Sequence, residues 1–331
     1  MVYIYKKTVS GKSYYYLRAS AREGERVISK DIAYLGGSID EAKRSLEKLP
    51  GHKSEIRRAY KNIKRFLESN HYLERARSMK LKKDDFLGDE LAGVEACKLH
   101  YTSIFNRLDQ TTQRETLKNF LIEFAFNTTS IEGNTITLKE ARNLLEEGRT
   151  PKNKTLREIH DLQNTETVFF DLLESDDDVA HELIEEIHSG LMKNIDIRIG
   201  YRIQDVRVIR SNFEATPAPY VKTDMDLLLK WYANNQALHP LVLATVFHHK
   251  FEKIHPFMDG NGRVGRMLLN YILMSKGYPP LIIHKKSRAE YLDALGRADK
   301  GGLSSTKVEE YKPLVQFIAG EMTGHYWGMF L

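Results

Sequence analysis

Twelve consecutive residues, His255-Pro256-Phe257-Met258-Asp259-Gly260-Asn261-Gly262-Arg263-Val264-Gly265-Arg266, combine a base, a carboxylate, two backbone-permissive glycines and two guanidiniums. The apolar run behind them, Met267 to Met274, reads as a helix that stops at Gly277 with Pro279-Pro280 beyond it. The stretch therefore stands at a helix N-terminus, where unpaired N–H groups and the positive dipole end attract anions. Gly260 and Gly262 let the main chain come close to an oxyanion. Arg263 and Arg266, three apart, share a helix face and can both reach one polyphosphate. Asp259 is a hard oxygen ligand suited to a Mg²⁺ shared with phosphates, and His255 titrates near neutrality and can take a proton from a hydroxyl nucleophile. Together these groups are the parts needed for transfer from a nucleotide. Any one of them alone would read as a Gly-Asn turn beside a core histidine; the constellation does not.

The elements around this stretch must position it. Pro240–Lys253 reads as a core helix running into it, and Tyr291–Leu295 and Tyr311–Met322 as closing helices. Upstream, Thr137-Leu138-Lys139-Glu140 and Thr155-Leu156-Arg157-Glu158 are capping boxes that each open a helix, and a third helix is expected from about Val179 to Leu191. Adjacent His248 and His249 do not make a zinc site with His255. Their rings would point about 100° apart on a helix, and no Cys or acidic partner has ligand spacing. One of the two is read as structural.

The stretch 255–266 resembles the signature of Fic (Fido) domains, H-P-F-x-[DE]-G-N-G-R-x-x-R, and matches all nine fixed positions. That resemblance implies a mainly α fold, a helical bundle with a short β-hairpin flap, mapped here to about Asp205–Tyr220 after Gly200-Tyr201-Arg202. It implies transfer of AMP from ATP to a Ser, Thr or Tyr hydroxyl of a target protein, which the flap would align by strand addition. It further implies His255 as base, Phe257 as a core anchor and Asp259 as Mg²⁺ ligand. Gly260, Asn261, Gly262 and Arg263 would hold the α- and β-phosphates, Arg266 the γ-phosphate, and Tyr291 would lie near the adenine. Thr128-Thr129-Ser130-Ile131-Glu132-Gly133 resembles the family's inhibitory motif, [ST]-x-x-x-E-[GN], placed before the catalytic core. A Glu132 carboxylate paired with Arg266 would occupy the group that orients the γ-phosphate, with Thr128 and Gly133 at the motif's fixed positions. In some relatives the same glutamate aligns water for removal of AMP, so a de-AMPylase, or transfer of another phosphate-containing group, is the alternative within enzymes.

Ahead of this lie two further segments. Residues 1–50 read as a small β-rich module: Val2–Lys7, Tyr14–Arg18 and Arg26–Tyr34 form a meander, and Ser38-Ile39-Asp40-Glu41 caps a short helix. The module resembles β-rich segments ahead of some transposases and prokaryotic Fic proteins, a likeness that assigns it no function. Tyr14-Tyr15-Tyr16 suits either base stacking or packing against the adjoining helix. Residues 51–85 read as a basic linking helix: between Gly51 and Lys83 eleven Lys or Arg stand against three Glu. Residues 86–331 are then the Fic domain with its inhibitory helix, the catalytic core at about 180–300. The basic run leaves a second class open, a nucleotide-sensing regulator that binds nucleic acid; no helix-turn-helix signal supports it, and nucleic acid is not the favoured partner. A homodimer is compatible with the sequence. The single Cys97, the absence of an 18-residue apolar run and the lack of an apolar leader lead to an expectation of a cytoplasmic protein that does not enter a membrane.

Overall fold

Alternating residues at the N-terminus pair into three antiparallel strands, β1 (Val2–Val9), β2 (Lys12–Glu23) and β3 (Arg26–Gly36), in the order β1-β2-β3. The coordinates are a computed structural model that describes residues 2–206 and 214–331. A strand points successive side chains to opposite faces, so the tyrosine triplet splits. Tyr15 is buried with Val2, Ile4, Leu17 and Leu35, whereas Tyr14 and Tyr16 lie on the other face. Ser38 caps α1 (Ile39–Glu47) by accepting from the Glu41 N–H, and Glu41 reaches back to the Gly37 N–H at 2.7 Å.

The basic stretch 51–85, read as one helix, forms two: α2 (Lys53–Arg58) and α3 (Tyr60–Ser78). The break is at Ala59, whose N–H is drawn to the carbonyls of Glu55, Ile56 and Arg57 at a tightened helix end. Ile63 and Leu67 of α3 pack with Ala59 on the buried sheet face. Residues 1–81 make one compact unit and residues 82–330 a second.

The second unit is helical among the described residues: α4 (Leu91–Ser103), α5 (Gln110–Ile131), α6 (Leu138–Glu147), α7 (Leu156–Glu174), α8 (His181–Met192), α9 (Val221–Asn234), α10 (Pro240–Ile254), α11 (Asn261–Ser275), α12 (Arg288–Ala298) and α13 (Val308–Met329). Both expected capping boxes form, at Thr137 with Glu140 and at Thr155 with Glu158. The axis of the core is α10. Every residue from Leu241 to Phe251 is buried, His248, His249 and Lys250 included. A helix apolar all round belongs inside, and its polar groups are met there: His249 by Tyr311 and Asp299, Lys250 by the carbonyls of Leu303 and Ser305. The expected flap at 205–220 falls partly on 207–213, outside the described residues; the described Ala218–Tyr220 is a 3₁₀ turn. No described helix is long and apolar enough to cross a membrane.

Candidate active site

The turn between α10 and α11 is built by its own side chains. His255 ends α10 in the left-handed region, φ 54° and ψ 59°, a costly conformation for a residue with a Cβ. Arg202 holds it there: its backbone N–H bonds the Pro256 carbonyl at 2.8 Å, and its buried guanidinium donates to the carbonyls of His255, Ile254, Gln204 and Thr216. Phe257 is fully buried, its ring stacked on His188 at 3.7 Å. Asn261 closes the loop with both ends of its amide, accepting from the Phe257 N–H and donating to the Phe257 carbonyl, each at 2.8 Å. Gly260 then starts α11 at φ 80°. A Cβ on Gly262 would run into Glu132 Oε1, and Arg266 Nη1 would be 2.9 Å away.

Around this turn is a cavity of about 980 Å³, within the range of small-molecule sites. His255, Asp259, Gly260, Asn261, Gly262 and Arg266 line it together with Glu132 and with Tyr291, Leu292 and Leu295 of α12. His255 Nδ1 faces the Glu252 carbonyl at 3.3 Å; as donor there, it leaves Nε2 with the lone pair. Burial lowers its pKa, so the ring is neutral and basic at physiological pH. Burial also pushes the Asp259 carboxyl up. The Arg157 and Arg263 guanidiniums and the Gly260 N–H more than reverse this, and Asp259 titrates below the usual carboxylate range. Asp259 is thus an ionised oxygen donor at the cavity wall, the kind of single carboxylate that holds Mg²⁺ together with phosphates.

The charges over the arginines come from α5. Thr128 and Glu132, one turn apart, both grip Arg266: Nε donates to Thr128 Oγ1 at 2.6 Å, and Nη2 to the Thr128 carbonyl at 3.0 Å and to Glu132 Oε1 at 2.6 Å. The other oxygen of Glu132 accepts from Arg263 Nε at 3.0 Å. Glu132 ends α5, and Gly133 turns the chain away at φ 110°, a value that favours glycine.

Residues 178–273 match the profile of the Fic/DOC family. These residues are a Fic domain. The chain is 30% identical to the protein adenylyltransferase fic-1 of Caenorhabditis elegans over 65% of this chain and 42% of that protein. To the protein adenylyltransferase Fic of Aedes aegypti it is 28% identical, over 76% of this chain and 53% of that one. The chain thus spans about half the length of the curated relatives it matches. Among solved structures, a Fic domain containing signaling protein from Bacteroides thetaiotaomicron covers 71% of this chain and 95% of its own at a TM-score of 0.65 and 24% identity. A Fic family protein from Desulfovibrio desulfuricans covers 74% of each chain at 0.63 and 26%. The fold of the second unit is the Fic fold.

Not every residue singled out in the sequence sits where the spacing alone would put it. Arg263 is 2% exposed behind the Fic loop and does not line the cavity; Asp161 of α7 and Glu132 hold it, with Asp259 Oδ1 at 3.9 Å. The sequence reading paired Glu132 with Arg266 alone, whereas it bridges both arginines. Tyr291 is buried against the cavity, its hydroxyl 2.6 Å from His248 Nε2, so His248 is indeed occupied within the core. Four groups escaped the sequence reading: Arg157, ion-paired with Asp259; Asp161; Arg202; and Glu252, which shares the cavity wall. Arg157 and Asp161 lie a hundred residues away, four apart on α7, and no local pattern marks them. Arg202 did carry a signal, its place in the Gly200-Tyr201-Arg202 element.

Proposed function

We propose that this protein is a Mg²⁺- and ATP-dependent protein adenylyltransferase held off by Glu132. The reading is carried by one observation: a neutral, half-buried imidazole, an ionised carboxylate, a helix N-terminus and Arg266 border the same cavity, and a carboxylate at the end of α5 covers the arginine. The names of the curated relatives, protein adenylyltransferase, support the same activity.

In this mechanism the triphosphate lies over the N-terminus of α11, where the N–H groups and dipole meet its charge. Asp259, with the phosphates, would hold a Mg²⁺ that would supply neutralisation of the developing charge. His255 Nε2 accepts the proton of a Ser, Thr or Tyr hydroxyl on the target protein. That oxygen attacks the α-phosphorus, the bond from the α-phosphorus to the bridging oxygen breaks, and pyrophosphate leaves. Because the Asn261 amide is committed to Phe257, its part is to shape the loop and to offer its main-chain N–H. Arg266 orients the γ-phosphate only when Glu132 releases it; misplacing the reacting phosphorus by an ångström can cost about 100-fold in rate. The adenine lies in the same cavity beside the α12 residues Leu292 and Leu295, near Tyr291. A second reading, removal of AMP, rests on Glu132 lining this cavity, where its carboxylate can orient a water. The single, buried Cys97 suits a reducing, cytoplasmic setting.

The test is self-labelling from α-labelled ATP. Glu132→Gly raises it over the parent protein, and adding His255→Ala abolishes it, a loss of about 10²–10⁴-fold for a general base. A double variant that labels as well as the single one removes His255 from the mechanism. Release of AMP from a labelled target by the parent protein, lost in Glu132→Gly, would favour the second reading.

A further inference from the structure

The N-terminal sheet has two unlike faces. Val2, Ile4, Tyr15, Leu17 and Leu35 are buried with α1 and α3. The alternate positions set Tyr3, Tyr5, Tyr14, Tyr16 and Tyr34 on the opposite face, interleaved with Lys7, Lys12, Arg18 and Arg22. Strand register brings three of these rings into one row across the whole sheet: Tyr5 pairs with Tyr16, and Tyr16 with Tyr34. The Tyr16 and Tyr34 rings lie 5.4 Å apart, Arg18 lies 3.7 Å over the Tyr5 ring, and Tyr34 is 56% exposed. The apolar core of the unit lies on the other face.

We propose that this open face binds single-stranded nucleic acid. Charge points to a polyanion. Residues 1–81 hold nineteen Lys and Arg against nine Asp and Glu, a net of +10 in a chain whose total is +5, so the attraction is concentrated in this unit. The ring row points to bases as the apolar component. Aromatic side chains flanked by cations let successive bases stack while phosphates meet Lys and Arg, whatever the sequence. In a duplex the bases are already stacked on one another, and their faces cannot reach the rings. A second copy of the chain would bring like charges together. An anionic lipid surface would call for alkyl or indole side chains that insert, where this face offers phenols.

The experiment follows anisotropy of a fluorescein-labelled oligothymidylate of about 20 nucleotides, titrated with the full chain from about 50 mM salt upward. With four cations on the face, one of them Arg18 already paired with Asp31, the log of affinity should fall against log salt with a slope of about −2 to −3. Tyr16→Ala with Tyr34→Ala should weaken binding by about tenfold or more per ring. Lys7→Glu with Arg22→Glu, both at exposed positions, should weaken it and roughly halve the slope. Arg57→Glu with Lys61→Glu, the same charge change on the exposed side of the basic helices, should cost much less. Circular dichroism and a melt accompany each variant, and if the tyrosine pair unfolds, the Lys7/Arg22 pair decides. The proposal is overturned by no saturable binding at the lowest salt, by equal or tighter binding to a blunt duplex or to phosphatidylserine vesicles, or by a helix variant that loses as much as the sheet variants.

Discussion

Glu132 Oε1 sits 2.6 Å from Arg266 Nη2 while Glu132 Oε2 sits 3.0 Å from Arg263 Nε, so one carboxylate meets two guanidiniums that are almost wholly buried. The group proposed to restrain the nucleotide site is therefore also part of what holds the fold. Glu132→Gly should raise labelling and lower stability together. Arg266 keeps Thr128 and Arg263 keeps Asp161, and Glu132 is itself 30% exposed, so the cost should be on the order of 1–3 kcal/mol, below that of a fully buried pair. The melting temperature should drop by several degrees, and ATP with Mg²⁺ should raise it more in the variant than in the parent, because the released Arg266 gains a new anion. A melting temperature that does not fall would mean that the bridge contributes nothing to the fold.

How far this site could be read in advance depended on how local its causes are. The loop 255–266 was legible because its function requires particular residues at fixed neighbouring positions, and Thr128 and Glu132 because four residues make one helical turn. The direction of Arg263 was not: three residues on a helix put it within 60° of Arg266, and the packing of α7, which brings in Asp161, decides that it turns behind the loop. Arg157 was invisible for the same reason. The basic run predicted helix from its charge, but charge carries no information about the tightened turn at Ala59. The capping boxes at Thr137 and Thr155 were read correctly because a cap is specified within four residues.

Arg157 grips the carboxylate that the sequence marks as the Mg²⁺ ligand. A cation at Asp259 must displace it, so Arg157→Ala should lower the Mg²⁺ concentration needed for half-maximal labelling by several-fold. Arg157 is 54% exposed, and losing so exposed a pair should cost the fold less than about 1 kcal/mol. Titrating Mn²⁺ by its relaxation signal, without nucleotide turnover, should show the same gain in affinity. Equal metal affinity in parent and variant would leave the ion pair without this role.

Glu252 carries a pH dependence of its own. Burial raises its pKa to about 7 against the opposing pull of Arg266, with the Glu132 charge adding to the rise. Its Oε1 is buried without a hydrogen-bond partner, 4.0 Å from His248 Nδ1. A carboxyl whose folded pKa lies above its unfolded one binds more protons when folded, so stability is lost as pH rises through the interval between the two. From about pH 5 to pH 7 the parent should lose on the order of 2–3 kcal/mol from this group. Glu252→Gln, which copies the protonated form, should remove that part of the slope and melt higher than the parent at pH 8. Parallel melting curves against pH for the two proteins would show that Glu252 ionises as it does in water.

Arg202 fixes the backbone that presents His255, the proposed base. Its guanidinium donates to carbonyls on both sides of the active turn, including His255 itself at 2.8 Å, and His255 stands at a positive φ that only its surroundings maintain. In a Glu132→Gly background, Arg202→Ala should let the turn relax and lower kcat by about 10–100-fold through misplacement of the imidazole, with KM for ATP changed much less. Arg202→Lys should not rescue it, because a single ammonium with three donors cannot span carbonyls that a planar fork reaches at once. A structural role alone would predict parallel losses of melting temperature and activity that lysine partly restores. Full recovery of kcat in the lysine variant would show that Arg202 acts as a charge and not as a fork.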